Sequence, residues 1–374
     1  MSEEKNQNTH QRHNFGNNAV IFAILAAVLY GISAPFSKLL LNTLDPALLA
    51  GLLYLGAGIG MLTWNTMQTR SQRRTVEAKI SKKDLPFVVA MVLLDIAAPI
   101  SLMTGLSMTT AENASLLNNF EIVATGLLAA VFFHESIGKR MGIAILLISA
   151  ASFLLSIENA SSLAFSTGSI FVLIACLCWG LENNCTRMLS LKNPLQIVVI
   201  KGFGAGTGAL LVFAFAGGQF QFSIQVIYAL LLGFVAYGLS IFFYIKAQRE
   251  LGAARTSAYY AAAPFIGVLV SWIVLGETVN GTFAAALIIM ILGTYMAITE
   301  KHQHRHVHET VTHDHLHNHQ DGHHLHSDAD ESHSHPHTHD NISHTHGHTP
   351  DLHHMHSHGS ADNKEETDKK YQKM

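Results

Sequence analysis

The chain has 374 residues, of which 49% are hydrophobic and only 13% are charged, and its formal net charge is −3. Because an ordinary soluble domain carries about 25% charged residues, this composition excludes that class and indicates a protein largely surrounded by lipid. The sequence gives no reason to expect a nucleic-acid partner. The three cysteines all lie between residues 176 and 185, so no disulfide framework is implied.

Apolar segments dominate the chain after a polar stretch at residues 1–17, which has no cleavable secretory signal. From Asn18 to Thr299 ten such segments follow one another, and each is about long enough to cross a bilayer as a helix. The sequence therefore predicts an all-α membrane protein. The predicted segments, called spans 1 to 10 throughout, are residues 18–39, 46–66, 85–106, 111–133, 140–157, 167–187, 195–217, 223–246, 252–275 and 281–299.

Charges between the spans predict the orientation of the chain. Lys and Arg collect in the even-numbered gaps, beginning with six of them between Arg70 and Lys83. The odd-numbered gaps contain no Lys or Arg, and their acids are Asp45, Glu112, Glu158 and Glu277. Since positive residues collect on the cytoplasmic side, we expect a multi-pass protein of the cytoplasmic membrane with both termini in the cytoplasm.

The two halves of the chain resemble each other, which predicts five-helix repeats at residues 18–157 and 167–299. Because five is odd, the repeats would lie in the membrane with opposite orientation, as in alternating-access transporters. The glycine runs would let helix backbones approach closely. The matched elements are Tyr30–Gly31 with Trp179–Gly180, "GAGIG" at 56–60 with "GAGTG" at 204–208, and "FFHESI" with "VLGETV", which aligns Glu135 with Glu277.

In their order and duplication, the ten spans, the early aromatic–Gly pair and the late "HE" or "GE" element resemble the drug/metabolite transporter superfamily, specifically its EamA-type proteins. The resemblance covers about residues 18–299. It implies a secondary carrier of the cytoplasmic membrane that exports small metabolites, amino acids or toxic compounds without an ATP site. His134 departs from the pattern, because the element usually has Gly before Glu, as at Gly276.

Four ionisable residues lie well inside the predicted spans: Asp95, Glu121, Glu182 and Lys201. A charge at the bilayer centre costs at least about 2.5–3.5 kcal/mol, so such residues tend to face a cavity or a partner. The acids are candidates for proton coupling or ligand binding. Glu182 and Lys201, on consecutive spans, are also candidates for a buried ion pair. Lys38 and Arg187 are expected nearer the cytoplasmic ends, where they would snorkel.

Span 4 carries a polar stripe at helical spacing. On a regular helix Asn118, Glu121 and Thr125 fall within an arc of about 60°. The stripe is interpreted either as a face that binds substrate or a proton, or as hydrogen bonding that packs the helices.

Span 6 offers a candidate metal site. Cys178, Glu182 and Cys185 share a helix face, and two thiols with a carboxylate suit a borderline divalent ion. The alternative is that these cysteines are small apolar packing residues. Tyr237 and Tyr260 are candidates for lining an organic cavity, and Pro35, Pro99 and Pro264 are expected to interrupt or kink their helices.

The chain ends in a polar segment, residues 301–374, that we expect to be disordered and cytoplasmic. It holds 22 of the 25 histidines between His302 and His358. Neutral imidazole suits Zn, Ni, Co and Cu(II), so the tail is predicted to bind divalent transition metals. Its candidate ligands are His302, His304, His306, His313, His315, His317, His333, His335, His337, His339, His344, His346 and His348.

The predicted function is export of a small solute by proton-coupled alternating access, with a metal-binding tail and no required cofactor. Two alternatives remain open: the metal is itself the cargo of an efflux protein, or the protein senses or buffers metal. An enzyme is not expected, because the chain lacks HExxH and GxSxG motifs. The sequence leaves open whether the unit is a monomer or a homodimer.

Overall fold

A computed structural model shows a bundle of membrane-length helices. The structure describes residues 19–68, 80–133, 138–159, 164–189, 192–251, 256 and 259–299, together with four strands of the tail. Within these residues, nine helical stretches are long and apolar enough to cross a membrane. Span 9 is represented by the shorter apolar helix Ala263–Leu275, because part of its predicted length lies outside the described residues.

The helices agree closely with the predicted spans. The fold is an all-α membrane protein of two inverted five-helix repeats. In chain order the helices are 19–31 with Ser33–Leu40, Pro46–Gln68, Leu85–Met108, Ala111–Leu117 with Phe120–Phe133, Lys139–Ser156, Thr167–Leu189, Pro194–Phe215, Ile224–Leu232 continuing through Gly233–Leu239 into Ser240–Leu251, Ala263–Leu275 and Gly281–Ile298.

The gaps between spans gather at two ends of the bundle, as the charge pattern predicts. Asp84, before span 3, lies 3.4 Å from Lys192, before span 7. Arg140, at the start of span 5, donates to the carbonyl of Thr299, at the end of span 10, at 3.2 Å. These even-numbered gaps form what we call the basic end. The opposite end, with Asp45, Glu112 and Glu277, is called the acidic end.

Lys38 was expected nearer the cytoplasmic end of span 1, which the charge pattern assigns to the basic end, but it does not lie at that end. Its ammonium donates to the carbonyls of Leu106 and Thr109, each at 2.6 Å, in the connection that leads into span 4 and Glu112. Lys38 therefore lies at the acidic end, because span 1 carries the chain away from the end at which it entered. Carbonyls at a helix C-terminus satisfy its charge there.

Close glycine contacts join the two repeats in equivalent pairs. A Cβ built at Gly56 of span 2 would lie 2.1 Å from the carbonyl oxygen of Leu230 in span 8. The same atom at Gly208 of span 7 would lie 2.2 Å from Ile96 of span 3. Spans 2 and 3 correspond to spans 7 and 8 under the inverted repeat. Small residues thus allow the backbones to approach where each repeat meets the other.

Several spans are irregular near their middle. Span 1 has a turn at Ile32, span 4 breaks at Asn118–Asn119, and span 8 contains the π-helix Gly233–Leu239. Pro264 stands in the first turn of its helix, where proline is tolerated. The expectation that Pro99 interrupts span 3 is wrong, because helix Leu85–Met108 runs through it.

The strands are short. β1 (Ile157–Asn159) and β2 (Ala164–Phe165) pair between the two repeats. In the tail, β3 (Gln303–Val307) pairs antiparallel with β6 (Ser343–Gly347), and β4 (Val311–Asn318) pairs antiparallel with β5 (Ser332–His339).

Candidate functional site

A charge cluster lies inside the bundle where the repeats meet. Asp95 of span 3 is 1% exposed, Glu182 of span 6 is 3% exposed and Lys201 of span 7 is 6% exposed. The Lys201 ammonium lies 2.6 Å from Glu182 Oε1 and 3.4 Å from Asp95 Oδ2. Asp95 belongs to the first repeat and the other two residues belong to the second. The cluster therefore links the halves by charge.

Neighbouring hydroxyls complete the cluster. Tyr54 of span 2 donates to Asp95 Oδ1 at 3.0 Å, and Thr186, one turn after Glu182, donates to Glu182 Oε1. Asp95 Oδ2 has no hydrogen-bond partner in the described part of the chain and keeps only the longer contact with Lys201. Of the two acids, Asp95 is thus the less fully satisfied.

The charges of the cluster do not balance. Two carboxylates face one ammonium, so the fully ionised cluster would hold a net charge of −1 in the membrane interior. An uncompensated buried charge is strongly destabilising. The cluster is therefore suited to hold one additional proton or a bound cation.

A small cavity lies between spans 1, 3, 4 and 9. Its volume is about 10 Å³, roughly the room that one water molecule needs. The Ser115 hydroxyl is buried there and has no hydrogen-bond partner among the described residues. The lining residues are Tyr30, Gly31, Ser33, Ala34, Leu102, Ser115, Asn118, Ala263 and Pro264.

Tyrosines connect the charge cluster to this cavity. The ring centroid of Tyr54 lies 5.3 Å from that of Tyr237 in span 8. The Tyr237 hydroxyl accepts a hydrogen bond of 3.2 Å from Ser33, which lines the cavity. Tyr30, another lining residue, packs 6.0 Å from Tyr237 and 5.7 Å from Tyr260. These contacts form a continuous chain of packed side chains between the two sites.

Glu121 of span 4 lies against polar side chains of span 6. Its Oε1 accepts a hydrogen bond of 2.6 Å from Asn183 of span 6, and the same amide lies 3.3 Å from the Thr125 hydroxyl. None of the ion pairs formed among the described residues includes Glu121. Its side chain is only partly buried. Glu121 can therefore accept a proton or a cationic group.

The polar stripe predicted on span 4 is not one helix face. The break places Asn118 at the end of helix Ala111–Leu117, where it lines the cavity, whereas Glu121 and Thr125 belong to helix Phe120–Phe133 and meet Asn183. Asparagine side chains compete with helical backbone bonds, and Asn119 donates to the Leu116 carbonyl at 3.2 Å. Two adjacent asparagines thus explain the break.

The structure does not bring the candidate thiol ligands into a metal centre. Cys178 and Cys185 are free and partly buried, while Glu182 is held by Lys201. No group of three His, Cys, Asp or Glu residues with metal-binding geometry occurs where the structure describes side chains. Glu182 and Lys201 instead form the ion pair that was the other interpretation of these residues.

In the tail, histidines stand opposite histidines. His304 pairs with His346 and His306 with His344 in one ladder. Strand residues at i and i+2 share a face, so these four positions lie on one face. His302 and His348 lie outside the described residues. In the other ladder the pairs are His313 with His337, His315 with His335 and His317 with His333, and His339 stands opposite Val311.

Sequence reasoning missed several members of the site. Tyr54, Asn183 and Thr186 were not singled out, although each carries a polar group inside an apolar span. A count of every polar side chain in the spans would have found them. Ser33 gave no distinct signal, because a serine in a membrane helix also bonds its own backbone.

Comparison with known proteins decides the family. The model of the EamA-like transporter family matches residues 17–157 and again 166–299. The chain belongs to the EamA-like transporter family. An "Uncharacterized transporter" of Methanothermobacter thermautotrophicus is 27% identical over 291 residues, which are 74% of this chain and 84% of that protein. The chain is therefore a multi-pass membrane transporter of small solutes.

Two further similarities agree with this family. The "Uncharacterized transporter YyaM" of Bacillus subtilis is 22% identical over 202 residues, 52% of this chain and 66% of that protein. A solved crystal structure superposes with a TM-score of 0.55 at 14% identity, covering 75% of this chain and 96% of the other. At that identity the superposition supports the fold alone.

Proposed function

We propose that this EamA-like transporter couples export of a small solute to proton entry by alternating access, and that the charge cluster carries the coupling proton. The observation that carries the proposal is the excess of one carboxylate over ammonium among Asp95, Glu182 and Lys201. A proton neutralises the excess. Loss of that proton would leave two carboxylates with only Lys201 and Tyr54 as partners, and the resulting buried negative charge favours a different arrangement of the helices.

The position of the cluster explains how protonation would affect transport. Asp95 lies in the first repeat, and Glu182 and Lys201 lie in the second. The attraction between Asp95 and Lys201 therefore acts across the interface between the repeats, which moves during alternating access. Protonated Asp95 or Glu182 would hold Lys201 less strongly. The tyrosine contacts between Tyr54 and Ser33 would carry this change to the cavity.

The chemistry around the cavity favours a neutral or cationic cargo over an anion. Of the two intramembrane bases described near it, Lys201 is held by the cluster and Lys38 by backbone carbonyls. Glu121, one turn from the lining residue Asn118, has no cationic partner. Among the described residues around the cavity, an anionic cargo would meet no available positive group and would be repelled by the acids.

Binding of Zn, Ni, Co or Cu by the tail is part of the proposal. It is supported by the cross-strand histidine pairs, because four imidazoles on one face of a ladder suit a divalent ion. The metal would regulate transport or be collected as cargo. We assign both termini to the cytoplasm on the charge pattern, which places the tail at the basic end beside the inner mouth.

A metal cargo is the second candidate function, and the histidine-rich tail favours it. The test is elemental analysis of Zn, Ni, Co and Cu in metal-loaded cells that carry the full chain, residues 1–300, or no copy. If the metal is cargo, the content of one metal falls with the full chain and falls less with the truncation. If the tail regulates or buffers, the truncation and the empty cells do not differ.

A further inference from the structure

The acid of the late "GE" element binds the other repeat at the acidic end. Glu277 Oε1 accepts the backbone N–H of Ala111, and Glu277 Oε2 accepts the backbone N–H of Glu112, each at 2.8 Å. Gly276 before it has a left-handed φ of 66°, which ends helix Ala263–Leu275 and turns the chain toward span 4. One carboxylate of the second repeat thus caps the first helix of span 4 in the first repeat.

Two more contacts fasten the same turn, residues 106–112. Lys38 of span 1 holds the carbonyls of Leu106 and Thr109. The Trp272 indole of span 9 donates to the Glu112 carboxylate. We call this set of contacts, made by Lys38, Glu112, Trp272 and Glu277, the acidic-end clamp.

The clamp lies directly beyond the cavity. The four helices that line the cavity also carry the residues of the clamp. On each helix the clamp contact lies about one to two helical turns closer to the acidic end than the cavity residue. Opening the cavity at that end therefore requires these contacts to break. The cavity and clamp residues on the same helix are Ala34 and Lys38, Leu102 and Leu106, Ser115 and Glu112, and Pro264 and Trp272.

We propose that Glu277 is the positioning residue of the acidic-end gate: its two hydrogen bonds hold the gate closed, and their breakage opens the cavity to that side. Glu277 touches neither the cavity nor the charge cluster, so it acts through the turn at 106–112. The proposal rests on the alternating access proposed above. It requires no particular cargo.

The experiment measures access to the cavity from each side. The full chain, with Cys176, Cys178 and Cys185 replaced by Ala, carries Ser115→Cys as a reporter that lines the cavity. Right-side-out and inside-out vesicles are treated with a membrane-impermeant methanethiosulfonate, and the labelling rate of the parent is compared with those of Glu277→Gln and Asp45→Asn. Asp45 is the matched control, because it accepts N–H bonds at the same end from its own helix, at Ala47 and Leu48.

In Glu277→Gln an NH2 group replaces one of the two carboxylate oxygens. Because an NH2 group cannot accept a hydrogen bond, one of the two charge-assisted bonds is lost. We expect labelling from the acidic end to rise about tenfold, the effect of losing one such bond. Labelling from the basic end should not rise, and Asp45→Asn should change neither rate.

Equal labelling of Glu277→Gln and the parent from the acidic end would overturn the proposal, as would an equal rise from both ends, which indicates general loosening. If Glu277→Gln does not fold, Glu277→Asp keeps the charge but cannot reach both N–H groups, and its acidic-end rate should still rise. If Ser115→Cys is never labelled from one of the two ends, alternating access is contradicted as well. If the reporter is labelled from both ends but Glu277→Gln leaves the acidic-end rate unchanged, only the gate is rejected.

Discussion

Lys201 has the largest predicted effect of any single residue, because it is the only ammonium facing two buried acids in the described interior. Lys201→Met leaves Asp95 and Glu182 without a counter-charge. We expect a loss of about 3–5 kcal/mol in the free energy of unfolding, the range for breaking a buried ion pair from one side. Denaturant titration of the purified full chain in detergent measures it.

A compensated variant separates stability from coupling. Lys201→Met with Glu182→Gln leaves one acid, which a proton can neutralise, so most of the lost stability should return while proton-coupled transport stays lost. Lys192→Met removes a base from the partly exposed pair with Asp84 and should cost at most about 1 kcal/mol. If the double variant is no more stable than Lys201→Met, the charge imbalance is not the cause.

At the scale of elements, the contact between spans 2 and 8 tolerates no added side chain at Gly56. A Cβ there would meet the backbone of Leu230, which cannot rotate away. Gly56→Ala should therefore destabilise the protein by about 1–3 kcal/mol, as overpacking does. Gly126, also in a helix, has open space within 4 Å and provides the control, where Ala should stabilise by up to about 1 kcal/mol. Similar unfolding midpoints for the two variants would contradict this packing.

The sequence predicted where the membrane helices lie, but it predicted only some of the places where those helices are irregular. Uninterrupted apolar runs predict spans well, because in lipid a backbone can satisfy its hydrogen bonds by forming a helix. The break at Asn118–Asn119 was missed, because a helical stripe assumes a continuous helix. The pairing of Glu182 with Lys201 was one of two interpretations, and Asp95 joined them because the inverted repeats bring span 3 beside spans 6 and 7.

For the whole molecule, the membrane part and the tail should be separable. Residues 1–300 retain every residue of the charge cluster, the cavity and the acidic-end clamp, so transport of an organic cargo should survive truncation. The truncated chain should bind far less Zn or Ni per molecule than the full chain, because the tail holds 22 of 25 histidines. Equilibrium dialysis of the two purified proteins measures this difference. Undiminished metal binding by the truncated chain would place the metal site in the membrane part instead.

The cargo preference is also a property of the whole molecule, since it follows from the sum of charges around the cavity. Among small solutes of matched shape, amines and neutral compounds should be transported, and carboxylates should not. Glu121→Gln should reduce transport of amines more than that of neutral solutes, because only amines gain from the carboxylate. Uptake assays with radiolabelled pairs measure this ratio, and transport led by carboxylates would contradict the assignment.

The most direct test of proton coupling is solute-induced proton flux in everted membrane vesicles. Respiration acidifies the vesicles and quenches a pH-sensitive dye, and a panel of amines, amino acids, Zn, Ni and Co is added in turn. We predict that at least one solute restores fluorescence with the full chain and with Asp84→Asn, and that the response disappears in the variant Asp95→Asn with Glu121→Gln and Glu182→Gln. An undiminished response in that triple variant would contradict the account.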